Sequence, residues 1–381
     1  VKLVSRELFE QFTKHKDFKS CEFVSTLQSL GITNAINNVK TTISVIDTDE
    51  HLFPISNNFS NTSDANCYVV SPMAAYIEYA LVELNRINNW LLSFTVKRLI
   101  HIVGAMLRWS KIDSIVYVNN WLLSTNIYPS FWDDKNIYDT TNFLSKAFPN
   151  EAVAFRSLNK YCNASLLNSF KKLGYISIPS RQVYLYDCRK DTTLSIQARH
   201  NFRMDKSILE KSEYKVVDGS HLVDSDFDRI EELYNALYLR KYTELNPQYK
   251  SSWLKAGQEL GWLNYLVLKN KHGRIDGVIG FFQNNEIITA PIVGYDTSLP
   301  KQIGLYRILT HLCISEAIKQ KKVLNFSSGA SEFKRLRGGV PEIEYSMVYA
   351  SHLSWRKRIA WIILGKLLHS IAVPIMKKMK L

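Results

Sequence analysis

Thr297-Ser-Leu-Pro-Lys-Gln-Ile-Gly-Leu-Tyr-Arg307 decides the reading of this chain. It follows the apolar run Ile287-Ile-Thr-Ala-Pro-Ile-Val293 and precedes a helical apolar pattern over residues 304–319, so it joins a strand to a helix. Gly304 at the junction lets backbone approach a ligand closely, and the first-turn amides of a helix have no partner within the helix. Such donors, at the positive end of the helix dipole, suit a diphosphate. Lys301 and Arg307 add positive charge. Working outward, residues 286–349 read as strand, basic turn, helix, short strand, second basic turn, strand.

The 381 residues are enough for two ordinary domains, and 46% hydrophobic content excludes a disordered or fibrous chain. Lys plus Arg number 48 against 35 Asp plus Glu, and the net +13 favours polyanionic partners. Five dispersed cysteines without a C-x-x-C pair argue against a zinc cluster or a redox dithiol and fit a reducing compartment. The start, Val1-Lys-Leu-Val-Ser-Arg-Glu7, does not read as a secretory signal, so the expectation is a cytoplasmic protein. There is no Gly-x-Ser-x-Gly elbow, no Gly-x-Gly-x-x-Gly and no Walker sequence.

Two halves share a pattern. The first has strand character at residues 41–46, 52–55, 67–70, 115–118, 122–128, 152–156 and 182–186, with helices over 72–109, 137–148 and 160–173. Residues 199–219 are polar with little periodicity and read as a linker. The second half has a helix at 226–242, strands at 263–269, 277–283, 286–293, 323–327 and 343–349, and the helix from Gly304.

In element order, residues 20–350 resemble the GNAT acyltransferase fold used twice, as in FemAB-like double-domain acyltransferases. The resemblance is specific in the second half. There Lys301-Gln302-Ile303-Gly304-Leu305-Tyr306 is similar to the family's pyrophosphate motif, Gln/Arg-x-x-Gly-x-Gly/Ala, with Lys first and Tyr in the last, small position. The corresponding first-half turn, Ser130-Phe-Trp-Asp-Asp-Lys135, has no glycine, and its Asp133 and Asp134 would repel a diphosphate. The resemblance implies an α/β (α+β) fold of two tandem GNAT-like domains, each a mixed twisted sheet flanked by helices. Residues 1–198 would lack a cofactor turn, 199–219 would link, 220–352 would hold the acyl-CoA site, and 353–381 would form a basic amphipathic tail.

It also implies acetyl-CoA or a longer acyl-CoA, or an acyl carrier protein, as donor, an amine acceptor and no metal. Expected cofactor contacts are Val293, Gly294, Lys301, Gln302, Ile303, Gly304, Leu305, Tyr306 and Arg307. Lys334 joins them from the basic loop Ser327-Ser-Gly-Ala-Ser-Glu-Phe-Lys-Arg-Leu-Arg-Gly-Gly339. Arg335 and Arg337 of that loop, with Tyr238 and Tyr242, are expected at the acceptor. Glu286 and Asp296, at the two ends of one strand, are candidate bases, and Tyr345 is a candidate acid. An aminoacyl-tRNA-dependent transferase of the FemAB type, for which the net charge would suit tRNA, is the rival reading. A non-catalytic membrane-surface protein is the second rival.

The segment after residue 355 carries seven Lys or Arg and no Asp or Glu around an apolar run interrupted by Lys366 and Pro374. It reads as too short and broken to span a bilayer and as a helix lying on an anionic membrane surface, at the inner face.

Overall fold

The computed structural model describes residues 1–15, 17–58, 66–84, 90–189 and 195–379; Lys380 and Leu381 of the expected tail lie outside them. The chain forms two compact units. Unit 1 contains Val1–Arg181, Leu245–Pro247 and Ile343–Met376, and unit 2 contains Gln182–Glu244, Gln248–Glu342 and Lys377–Leu381.

In chain order the first elements are β1 (Lys2–Val4), α1 (Lys19–Leu30), α2 (Ile32–Ala35), β2 (Thr42–Asp47), β3 (Leu52–Asn58), α3 (Tyr79–Leu84), α4 (Trp90–Trp109), β4 (Ile115–Val118), α5 (Asp134–Ala147), β5 (Ala152–Asn159), α6 (Lys160–Lys172) and β6 (Ile176–Asp187). There follow α7 (Ile196–Lys211), β7 (Lys215–Asp218), α8 (Asp224–Asn235), α9 (Ser251–Glu259), β8 (Asn264–Lys269), β9 (Ile275–Gln283) and β10 (Ile287–Tyr295). The chain finishes with α10 (Leu305–Lys319), β11 (Val323–Asn325), α11 (Ser331–Arg335), β12 (Val340–Tyr349), α12 (Trp355–Leu367) and α13 (Val373–Met379).

Both units use one sheet plan. Unit 1 orders its strands β1-β2-β3-β4-β5-β12 and unit 2 orders them β7-β8-β9-β10-β11-β6. Along each order the fourth and fifth strands are parallel, and the other neighbouring pairs are antiparallel. A parallel pair needs a long crossover, supplied by α5 between β4 and β5 and by α10 between β10 and β11. β5 is buried along its whole length, the pattern of a strand covered on both faces. Unit 1 takes its last strand from near the chain's end, and unit 2 takes its last strand from the chain's middle, where the chain changes unit within β6.

Several expectations are corrected. Residues 199–219 are not a linker: they lie in α7 and β7, and the change of unit falls at Arg181/Gln182. Residues 67–70 form a turn, and 122–128 are irregular, with Leu122 at φ 55°. The C-terminal segment is helical past Pro374, carried there by a π-type turn at Leu368–Ala372. Trp355–Lys378 is thus long and apolar enough to cross a membrane by length and composition. Yet Ala360, Trp361 and Leu364 are buried in a unit 1 core cluster with Leu107, Ile115, Ile178 and Val348.

Candidate active site

The site in unit 2 starts at the parallel pair. β10 and β11 pair over Ile287↔Val323, Ile288↔Leu324 and Thr289↔Asn325 only. At that apex the Thr289 hydroxyl donates to the Asn325 carbonyl at 3.0 Å. Beyond it, the register between β10 and β9 shifts between Thr289 and Ile292, a bulge that bends β10, and Pro291 offers no N–H. Past Asn325 the chain stays with β6 instead: Phe326 N–H donates to the Tyr184 carbonyl, and Tyr184 N–H to the Ser327 carbonyl. The two parallel strands therefore splay, and no strand pairs the β11-facing edge of β10 after Thr289 among the described residues.

The turn that follows β10 leads to α10. Gly304 precedes the helix in the left-handed region, φ 74° and ψ 26°, and no side chain caps the helix. A Cβ at Gly304 would be strained by that φ. The amides of Ile303, Gly304 and Arg307 are bonded locally, to the carbonyls of Pro300, Lys301 and Gly304. Those of Leu305 and Tyr306 have no partner among the described residues. The Tyr306 ring packs on Phe333 at 4.8 Å and near Tyr295 at 6.0 Å. Burial, then the neighbouring Tyr242 and Tyr295, push its hydroxyl pKa well above the ordinary value.

No protein-family model and no curated protein matches the sequence. Among solved structures, FemX has a TM-score of 0.51 at 8% identity, covering 96% of this chain and 100% of that one. A conserved protein of unknown function from Bacteroides thetaiotaomicron VPI-5482 gives 0.47 at 12% identity, covering 91% of this chain and 98% of that one. L-PGS from Bacillus licheniformis gives 0.45 at 14%, covering 61% of this chain and 77% of that one. The chain has a double-GNAT, FemAB-like fold. At such identities the likeness concerns the fold alone.

Within this GNAT fold the nominated residues divide into two groups. Gly304, Leu305, Tyr306, Lys301, Gln302 and Ile303 lie together at the turn, with Lys301 and Gln302 exposed. The Tyr242 ring lies 6.2 Å from that of Tyr238. Tyr238 stacks on buried Tyr234 at 4.7 Å, in a packed aromatic series that continues through Tyr249 and Trp253.

The remaining nominated residues are held elsewhere. Gly294 serves packing: a Cβ there would lie 2.6 Å from the Leu233 carbonyl carbon of α8. Val293 faces the core cluster beneath α10. Lys334 is buried, and its ammonium donates to the carbonyls of Phe326, Ser327 and Ser328 at 2.7, 3.4 and 2.7 Å. These bonds fix a loop in which Ser327, Gly329 and Ala330 all have positive φ. Arg337 is buried and pairs with Asp205 at 2.5 and 2.9 Å, and its guanidinium lies 3.4 Å from the Phe333 ring centroid. Arg307 reaches the same Asp205 at 2.6 Å. Arg335 has no ion-pair or side-chain hydrogen-bond partner among the described residues.

Asp296 does not fit a base. It receives Arg229 at 2.6 Å, Arg274 at 3.1 Å and the Ser298 hydroxyl. Burial alone would raise its pKa, but the Ser298 and Arg229 hydrogen bonds prevail and hold it below the ordinary carboxylate value. Glu286 is exposed at the opposite end of β10, 3.8 Å from Arg189. Tyr345 is a buried residue of unit 1, stacked 5.9 Å from His369.

Sequence reasoning missed Asp205, the anchor of two arginines. The signal was present: Ala198, Phe202, Asp205, Ile208 and Leu209 recur at helical spacing, which places an acid in the centre of an apolar face.

Proposed function

We propose that unit 2 is an acyl-CoA-dependent N-acyltransferase domain acting on an amine. The observation that carries this reading is the splay of β10 from β11 ahead of an uncapped helix that follows Gly304. The amides of Leu305 and Tyr306 would receive a diphosphate, aided by the dipole of a 15-residue helix and by exposed Lys301. The unpaired edge of β10 would align the acyl arm and offer an N–H to its carbonyl oxygen, a preorganised donor where charge develops. Coenzyme A supplies the activated thioester; the chain supplies position, which by itself removes much of an acyl-transfer barrier. Tyr242, Tyr295 and Tyr306 at the turn give the acceptor side an aromatic wall.

A specific observation keeps the FemAB-type, aminoacyl-tRNA-dependent reading as second. Arg307, Arg337 and Lys334, three cations that the sequence reading placed at the ligands, are engaged within the chain, so a diphosphate at the turn gains less charge than the sequence suggests. Calorimetric titration with acetyl-CoA, alongside tRNA binding measured over rising salt, separates the two. Saturable one-to-one acetyl-CoA binding supports the first. Salt-sensitive tRNA binding with no heat from acetyl-CoA rejects it in favour of the second.

A further inference from the structure

We propose that the outer faces of α4 and α12 in unit 1 form a docking surface for an anionic lipid bilayer. The inference rests on unit 1 alone and does not depend on the donor used by unit 2.

The two helices share a core. Leu107 of α4 and Ala360, Trp361 and Leu364 of α12 are buried in one cluster, with Ile100, Val103 and Met106 packed against it. Their other faces are apolar yet exposed: Ile102 is 68% exposed, Trp109 53% and Trp355 74%, with Phe94, Leu99 and Ile359 also exposed. Scattered exposed apolar residues need no explanation, but these lie on two packed helices. Trp109 and Trp355 meet edge to face with ring centroids 6.2 Å apart. Arg356 lies over the Trp109 ring at 4.9 Å and Arg98 over the Phe94 ring at 4.5 Å.

The charge on these elements has one sign. α4 carries Lys97, Arg98 and Arg108, and α12 carries Arg356, Lys357, Arg358 and Lys366; neither contains an Asp or Glu. A second copy of the same face would be repelled by like charge. Nucleic acid would match the charge but leave Ile102, Leu99 and Ile359 with no apolar partner. A bilayer with anionic headgroups satisfies both: tryptophans at headgroup depth, aliphatic side chains below, and arginines reaching phosphates. Burial of Ala360, Trp361 and Leu364 in the unit 1 core makes this a peripheral attachment and not a membrane crossing.

The test is flotation of the full chain with vesicles of pure phosphatidylcholine and of equal parts phosphatidylcholine and phosphatidylglycerol. The expected result is binding to the anionic vesicles, at least about tenfold weaker to neutral ones, and lost as salt rises. The double variant Ile102→Glu/Trp355→Glu should reduce anionic-vesicle binding at least about tenfold while circular dichroism and thermal midpoint stay as in the parent. Val223→Glu, an equally drastic change at an exposed apolar residue of unit 2, should bind as the parent does. No binding to anionic vesicles, equal binding to both vesicle types, or undiminished binding by the folded double variant would overturn the proposal.

Discussion

Asp133 in unit 1 and Gly304 in unit 2 occupy the same place, the residue before the helix that crosses between parallel strands. Asp133 turns its carboxylate onto the Asn136 amide at 2.7 Å, so the chain satisfies its own helix start. Gly304 offers no side chain, and the Leu305 and Tyr306 amides stay open. The strand pairs differ in the same sense. β4 and β5 also part after three paired residues. There, however, Arg156 of β5 donates to the carbonyls of Leu123 and Ser124 at 3.0 and 3.2 Å, and the Tyr128 hydroxyl donates to the Arg156 carbonyl at 2.7 Å. Unit 1 stitches its splay shut with side chains, whereas among the described residues no hydrogen bond joins β10 beyond Thr289 to the segment after β11. One sheet plan thus supports a stitched splay and an open one, and a few side chains make the difference.

The largest expected effect comes from the acid behind the open turn. Asp205→Ala should strand buried Arg337 and partly exposed Arg307 without a counter-charge, costing about 3–5 kcal/mol of unfolding free energy in a urea titration. A loss under about 1 kcal/mol would show that the pair is incidental. Next, Gly304→Asp would give unit 2 the acidic turn of unit 1. Acetyl-CoA affinity should fall at least about a hundredfold, or about 2.7 kcal/mol, by calorimetry on folded protein, and unchanged affinity would remove the turn from the site. Asp133→Ala should cost unit 1 only about 1 kcal/mol and leave acetyl-CoA affinity alone.

The smallest effect is a pH slope from His311 on α10. Burial lowers its pKa from 6.5, opposed by Asp205 and Glu210 and reinforced by Lys206, so the folded state rejects a proton that the unfolded state accepts. Stability from this group is therefore full above the unfolded value and declines as pH falls below about 6.5. The thermal midpoint should drop less on acidification in His311→Leu than in the parent; parallel curves would contradict this.

The turn was legible because its information is local: an apolar run, a glycine and a helical pattern follow one another between residues 287 and 319. The tandem plan was legible for the same reason. The roles of Lys334, Arg337 and Asp296 were not, because partners decide them. Arg337 finds Asp205 132 positions away, and Asp296 finds Arg229 67 positions away. Polarity hid α7: its charged outer face resembled a linker, and Asp205 interrupted the apolar stripe that marks a packed helix. The exchange of β6 and β12 between units was also out of reach, since local patterning names a strand but not its neighbour.

Hydrogen–deuterium exchange with and without acetyl-CoA tests the central claim most directly, because it reads the two turns in one experiment. The account predicts slowed exchange at residues 304–308 on ligand addition and no change at 133–137. Saturable acetyl-CoA binding without protection at 304–308, or with protection at 133–137 instead, would contradict it.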